Sequence, residues 1–323
     1  MKLTITPETV AYKKPFKIAY AVRTELPIVH IALSEGEHTG VGEAIGVSYL
    51  GEDQASVLRD LEGVFAAVEA GVDRATLQDL LPAGGARNGL DCALWDLECK
   101  RSGKTIWQLT GIAPQPVQSV YTVSVDDPDI MAAEAATGPS THLKIKLDAT
   151  TPVERVAAVR KARPDATLII DANQSWTLKL LTEVAPELAR LGVEMIEQPL
   201  PRGEDAPLEG YVGPIPIGAD ESCQTVEELD GLPSGYSVIN IKLDKTGGLT
   251  GALALAQAGK AKGYQLMVGC MAGTSLSMAP AFVVAQLCRF VDIDGPLLHA
   301  TDRAHPMVYT RGRVSVPDRA LWG

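Results

Sequence analysis

The chain has 323 residues, too many for one small domain and enough for a barrel of roughly 200–250 residues with a smaller companion. A hydrophobic share of 46% with 21% charged residues is ordinary for a globular protein, and the net charge of −11 argues against nucleic-acid or anionic-membrane partners, which demand a basic face. Met1–Thr6 alternates like a strand instead of forming a signal-peptide core, the longest apolar stretch (279–287) is too short to span a membrane, and the five cysteines include no Cys-x-x-Cys pair, so a cytoplasmic protein with reduced thiols is expected.

Residues 1–47 read as antiparallel strands at Leu3–Thr9, Phe16–Ala19, Ile28–Ser34 and Thr39–Ala44, with a hairpin turn at Glu35-Gly36-Glu37. Residues 53–102 read as helical, from Val57, Leu61, Val64, Phe65 and Val68 at three- and four-residue spacings. A further helix at about Ala86–Arg101 stops at Gly103. Strands followed by helices predict an α+β cap over residues 1–116. From Val117 the pattern becomes strand–helix alternation, with strands at 118–124, 142–147, 167–171, 193–197, 215–220, 237–242, 264–269 and 290–294. The helices between them include Pro152–Ala162, Leu178–Leu191, Gly248–Lys262 and Thr274–Leu287. This predicts a (β/α)7β barrel over residues 117–294, with residues 295–323 folding back on the cap.

Polar residues recur along the barrel with the period of its strands. Lys146, Asp171, Glu197, Asp220, Lys242, Gly269 and Asp292 follow one another at intervals of 22 to 27 residues, each at or just after a short apolar run. One such group per strand end is how a barrel builds its chemistry at the C-terminal face. In Leu143–Leu147 the alternation puts Lys144 and Lys146 on one side, and burying both requires counter-charges. Asp171, Glu197 and Asp220 supply them, and an all-carboxylate set suits Mg²⁺, or Mn²⁺ as a substitute, in preference to Zn²⁺. Lys242 falls on the side of the barrel facing Lys146, and two bases flanking one carbon are what inversion requires. A free lysine, with a pKa of about 10.4, is a poor base. Lys144 beside Lys146, and a metal near both, are expected to bring the lysines toward the working range. Asp292 and Asp294, two apart, present two carboxylates for a substrate cation, and Cys270 falls at a strand end where it would line the pocket.

These residues resemble the enolase superfamily, within it the muconate-lactonizing subgroup with its Lys-x-Lys motif, and more closely the dipeptide epimerases. The likeness covers essentially the whole chain. It rests further on Tyr121–Val125 as a first barrel strand, on Asp292-Ile293-Asp294 as a paired-acid motif, and on Arg23 in Ala21–Thr24. The resemblance implies a (β/α)7β barrel, TIM-like, with an α+β cap domain completed by the C-terminal segment. It implies Mg²⁺ on Asp171, Glu197 and Asp220, acid/base catalysis by Lys146 and Lys242, and an enediolate reached by proton abstraction next to a carboxylate. Lys144, Asp292, Asp294, Arg23, Thr122, Cys270 and Met271 become substrate-binding residues, with Arg23 on a mobile cap loop. The implied reaction is epimerisation of L-Ala-D/L-Glu-type dipeptides in cell-wall peptide recycling, by a homo-oligomer. The alternatives within the superfamily are N-acylamino-acid racemase, o-succinylbenzoate synthase or cycloisomerase.

Overall fold

The computed structural model describes residues 1–18 and 21–323. Ala19, the end of the second predicted strand, lies outside the described residues. The cap opens with one antiparallel sheet, β1 (Lys2–Ile18), β2 (Ala21–Glu35) and β3 (His38–Ala44), in that order. The two short strands predicted between residues 3 and 19 are a single long one. Its ladder runs from Lys2 opposite Ser34 to Ile18 opposite Ala21, with one irregularity between Ala11 and Phe16. Backbone pairing is blind to side-chain polarity, so the ladder resumes at Phe16 after the irregularity that holds Lys13 and Lys14, where apolar alternation ends. Arg23 therefore sits on β2 opposite Phe16, and not in a loop.

Four helices follow, α1 (Gln54–Gly63), α2 (Phe65–Gly71), α3 (Arg74–Leu80) and α4 (Gly85–Ser102). Asp53 and Asp73 cap α1 and α3 by accepting from the N–H groups of Ser56 and Thr76. Helix α4 ends at Gly103, whose left-handed φ of 69° a glycine adopts freely. This helix lies directly on β3. A Cβ at Gly42 would stand 2.1 Å from the Gly89 carbonyl oxygen, so the contact is possible only without a side chain.

After α5 (Ile106–Thr110) and a short β4 (Val117–Gln118) come eight parallel strands. They are β5 (Tyr121–Val123), β6 (His142–Lys146), β7 (Thr167–Asp171), β8 (Val193–Glu197), β9 (Ile217–Ala219), β10 (Tyr236–Ile241), β11 (Gln265–Val268) and β12 (Phe290–Val291). Neighbours pair in chain order, and Val120 N–H donates to the Val291 carbonyl at 2.9 Å, joining the last strand to the first. The outer faces pack on α6 (Pro128–Thr137), α7 (Pro152–Ala162), α8 (Leu178–Arg190), α9 (Leu243–Thr246), α10 (Leu249–Ala261) and α11 (Ser275–Ala285) through residues such as Leu168, Ile170, Ile239 and Ile241. The fold is a TIM-like (β/α)7β barrel with an α+β cap. No helix among the described residues is long and apolar enough to cross a membrane.

Inside the ring, Val120, Ile169, Met195, Val238, Met267 and Phe290 form an apolar floor. Two residues further along the same strands come Thr122, Asp171, Glu197, Asn240, Gly269 and Asp292. The two-residue period keeps each inward face inward, and one step up the barrel the floor gives way to a polar layer.

The last residues tie the cap to the barrel. Ala300 N–H donates to the Ala11 carbonyl, and Arg303 pairs with Glu8 at 2.7 Å and Glu43 at 2.9 Å. Glu43 also accepts from the N–H of Thr274, at the start of α11. Trp322 Nε1 donates to the Cys92 carbonyl of α4. A C-terminal β14 (Arg313–Val314) pairs with both β4 and β13 (Tyr309–Thr310).

Candidate active site

A cavity at the C-terminal end of the barrel, roofed by the cap, is lined by Arg23, Thr122, Lys144, Lys146, Lys242, Cys270, Met271, Asp292 and Asp294, with Tyr12, Tyr49, Asn173 and Glu221 among their neighbours. Asp171, Glu197 and Asp220 lie fully buried at its base. Every residue singled out from the sequence is therefore in one place.

Lys144 is buried among three carboxylates. Its Nζ is 2.7 Å from Asp292 Oδ2, 2.8 Å from Glu197 Oε2 and 3.1 Å from Asp171 Oδ2. The contact to Glu197 is an ion pair not aligned as a hydrogen bond. Lys146 donates to Asp171 Oδ2 at 2.6 Å and Lys242 to Asp220 Oδ2 at 2.7 Å. Burial works against charge on Lys144 and Lys242, yet the acids outweigh it (Asp292, Glu197 and Asp171 for one, Asp220 for the other) and push both well above the ordinary lysine value. The side chains alone thus work against the expected lowering for these two, because carboxylates, not another ammonium group, are the nearest charges.

The acids divide in the same way. Burial disfavours the charge of Asp171, but Lys146 and Lys144 hold it down at about 2, and Asp220 is held below its usual range by Lys242 and Lys245 against the same burial. Glu197 is pushed up to about 7 by burial and by Asp171, Glu221 to about 8 by burial and Asp220, and Asp294 to about 7 by burial and Asp292. Six buried carboxylates (Asp171, Glu197, Asp220, Glu221, Asp292, Asp294) face four buried lysines (Lys144, Lys146, Lys242, Lys245). Burial pushes three of these acids, Glu197, Glu221 and Asp294, toward their neutral form, as a site built to hold a cation beside them would require, and the oxygen donor set fits Mg²⁺. Among the described residues the tightest trio of ligand-type atoms is a different one, Cys270 with Asp292 and Asp294, mutually within 4.8 Å. Burial, with Asp292 and Asp294 beside it, raises the Cys270 thiol far above its usual range, so it stands as a neutral thiol next to the paired acids. The strand-end acids are the better centre on chemistry, with lysine ammonium groups now on their cavity oxygens.

Asp292 and Asp294 follow β12 instead of lying on it, and Asp294 precedes α12 (Gly295–Leu298). Asp294 Oδ2 accepts from the Thr122 N–H at 2.6 Å, and does not cap α12. Arg23 lines the cavity and donates to Ser48 Oγ at 2.9 Å. Sequence reasoning missed Asn240, Lys245, Glu221, Asn173 and Tyr49. Asn240 was within reach, two residues before Lys242 on the same face. Lys245 was not, because it sits on α9 outside the strand period. Asn173 Oδ1, Glu221 Oε2 and Asn240 Oδ1 are buried acceptors without a hydrogen-bond partner among the described residues.

A barrel with lysines on opposite strands, acids at three adjacent strand ends and a cap closing the mouth defines a class of enzyme that works on carbon next to a carboxylate. Residues 1–111 match the mandelate racemase/muconate lactonizing enzyme N-terminal domain and residues 130–320 the enolase C-terminal domain-like model. The chain belongs to this enolase-superfamily family, and it is an isomerase. It is 45% identical to the L-Ala-D/L-Glu epimerase of Escherichia coli (strain K12), covering 93% of this chain and 95% of that one. It is 38% identical to an N-acetyl-D-glutamate racemase of a Pseudoalteromonas species, over 92% and 95%. A solved Agrobacterium tumefaciens enolase family member, with homology to dipeptide epimerases and bound to sodium and L-Ala-L-Glu with an ordered loop, superposes with a TM-score of 0.96 at 44% identity, over 99% of both chains. A Methylococcus capsulatus dipeptide epimerase complexed with Mg and L-Arg-D-Lys does so at 0.90 and 29% identity, over 100% of this chain and 99% of that one.

Proposed function

We propose that the protein is a Mg²⁺-dependent epimerase that inverts the α-carbon of the C-terminal residue of an L-Ala-Glu-type dipeptide. The observation that carries this is the placement of Lys146 and Lys242 on strands four apart in a ring of eight, with the paired acids Asp292 and Asp294 at the same mouth. The working division is a cap of residues 1–116 with 295–323 over a catalytic barrel of residues 117–294.

Asp171, Glu197 and Asp220 would hold Mg²⁺, or Mn²⁺ in its place. The bound cation supplies Lewis-acid stabilisation of the negative charge that develops on the substrate carboxylate. Lys146 and Lys242 address the α-carbon from opposite faces, one taking the proton as general base and the other returning one as general acid. Each must lose a proton to act as base, and Asp220 Oδ2 is what keeps Lys242 charged. A cation held by Asp220 would compete with Lys242 for that carboxylate and so favour the neutral amine. Lys144 stays charged between Asp292 and the two acids Asp171 and Glu197, and so links the paired acids to the metal side of the pocket. Asp292 and Asp294 receive the substrate's ammonium group, and Arg23, on the cavity wall, is the cation offered to a glutamate side chain.

The second reading, racemisation of an N-acylated glutamate, is favoured by the Pseudoalteromonas relative. The two readings share the glutamate and differ at its nitrogen substituent, ammonium-bearing alanine or neutral acyl group. A free ammonium group adds a counter-charge to the two buried aspartates, whereas an acyl group leaves them only Lys144 and the Thr122 N–H. The test is turnover of L-Ala-L-Glu against N-acetyl-L-glutamate, in the native protein and in Asp294→Asn. The free dipeptide is expected to be the better substrate. The variant should lose a charge-assisted hydrogen bond's worth of kcat/KM for it, roughly 1.5–3 kcal/mol or about 10- to 150-fold. Better turnover of the N-acetyl compound by the native protein would establish the racemase reading instead.

A further inference from the structure

The three strand-end carboxylates share a pattern at the level of single oxygens. Each has one oxygen fixed by a donor of the protein and the other turned to the lysine-filled cavity. Asp171 Oδ1 accepts from the Asn173 N–H at 2.9 Å, while Oδ2 faces Lys144 and Lys146. Glu197 Oε1 accepts from Asn240 Nδ2 at 2.6 Å, while Oε2 faces Lys144. Asp220 Oδ1 accepts from Lys245 Nζ at 2.8 Å, while Oδ2 faces Lys242. Both side-chain donors are buried and held in place. Lys245 Nζ also reaches the carbonyls of Asp220 (2.5 Å), Cys223 (2.9 Å) and Asn240 (2.8 Å). Gly269 leaves the space that the Asn240 amide occupies, since a Cβ there would stand 2.7–2.8 Å from its Oδ1 and Nδ2.

We propose that Lys245 and Asn240 are positioning residues that restrict Asp220 and Glu197 to one ligating oxygen each, and so set the centre's preference for Mg²⁺ over Ca²⁺. The inference rests on the reading of Asp171, Glu197 and Asp220 as the metal ligands. Mg²⁺ takes six oxygens in a tight octahedron and suits carboxylates that each give one. Ca²⁺ is larger, takes six to eight, and gains from carboxylates that swing to give two. A donor clamped on the second oxygen withholds that gain. The backbone bonds of Lys245 explain why it is buried, but they do not explain why its remaining contact is to Asp220 Oδ1. Donors behind ligands of this kind are worth about 10–100-fold in metal affinity.

The test is calorimetric titration of the metal-free protein with MgCl2 alone and with CaCl2 alone, so that no turnover enters the readout. The proteins are the native chain, Asn240→Leu and Lys245→Met. Lys245→Met strips buried carbonyls of a donor and risks the fold. Asn240→Leu removes a single bond and keeps the branched shape of the side chain, and unfolding midpoints accompany both. Each folded variant is expected to lose about 10–100-fold in Mg²⁺ affinity and much less for Ca²⁺, moving the preference toward Ca²⁺ by about tenfold or more. Unchanged affinities, or equal losses for both ions, would overturn the proposal. A native protein that binds neither ion would instead overturn the metal reading beneath it.

Discussion

Lys146 is on β6 and the residue after β10 is Lys242, and between those strands the ring turns through half its circumference. An α-carbon held between them shows one face to each. Lys146→Ala and Lys242→Ala are each expected to lower epimerisation by about 10²–10⁴-fold or more, the worth of a general base. Each variant should still exchange the α-proton of one enantiomer with solvent deuterium, and the two should differ in which enantiomer that is. NMR of both enantiomers in heavy water reads this directly. Near-normal epimerisation by either variant, or exchange of the same enantiomer by both, would rule out a division of labour by face.

At the scale of elements, the site depends on strands that repeat one inward pattern and on a helix that carries the cap. The floor–polar succession along β7 and β8 sets Asp171 and Glu197 at one height, and the same two-residue step carries just past the ends of β9, β10 and β12 to Asp220, Lys242 and Asp292. Helix α4 joins sheet to barrel, because Asn88 donates to Asp244 at 2.9 Å, Arg87 to the Thr246 carbonyl at 2.9 Å and Trp95 to Thr250 at 3.0 Å. Its other side meets β3 at Gly42. A Gly42→Ala variant has to push α4 off the sheet, since the atom it would strike belongs to the backbone. It should lose about 1–3 kcal/mol. A lower urea midpoint with an unchanged m-value reads this loss, and a native midpoint would show that the helix and strand have slack.

For the molecule as a whole, the joint between cap and barrel is also where folding couples to pH. Burial raises Asp244 to about 7 and Asp91 to about 6, despite the bonds each receives from Asn88 and Thr250. A carboxyl raised on folding keeps its proton in the native state at pH values where the unfolded chain, with a pKa of about 3.9, has lost it. Its contribution to stability is therefore fully present below pH ~4 and falls as pH rises toward 7. Asp244→Asn keeps an oxygen for Asn88 and removes this titration. Relative to the native protein, the variant should gain stability between pH 5 and pH 8, read from urea unfolding at both values. Parallel stabilities at the two values would show that Asp244 is not the group responsible.

The barrel and the cluster of charged residues at its mouth were legible because both are written in one period. Strand ends at near-constant intervals fix the (β/α) repeat, and the residue types at those ends fix the donor set, which is why Lys144, Lys146, Asp171, Glu197, Asp220 and Lys242 could be picked out by spacing alone. The predicted Pro152–Ala162 helix matches α7 to the residue, with proline at its first position. Where side-chain pattern and backbone pairing part company the reading failed, as in the β1–β2 hairpin that takes Arg23 out of its expected loop. Tertiary structure alone decided which oxygen of each carboxylate faces the cavity. It also decided which acids each lysine meets, Asp292, Glu197 and Asp171 for Lys144 and Asp220 for Lys242. These depend on distances between strands, and a position's period tells which way a side chain points but not which charge it meets.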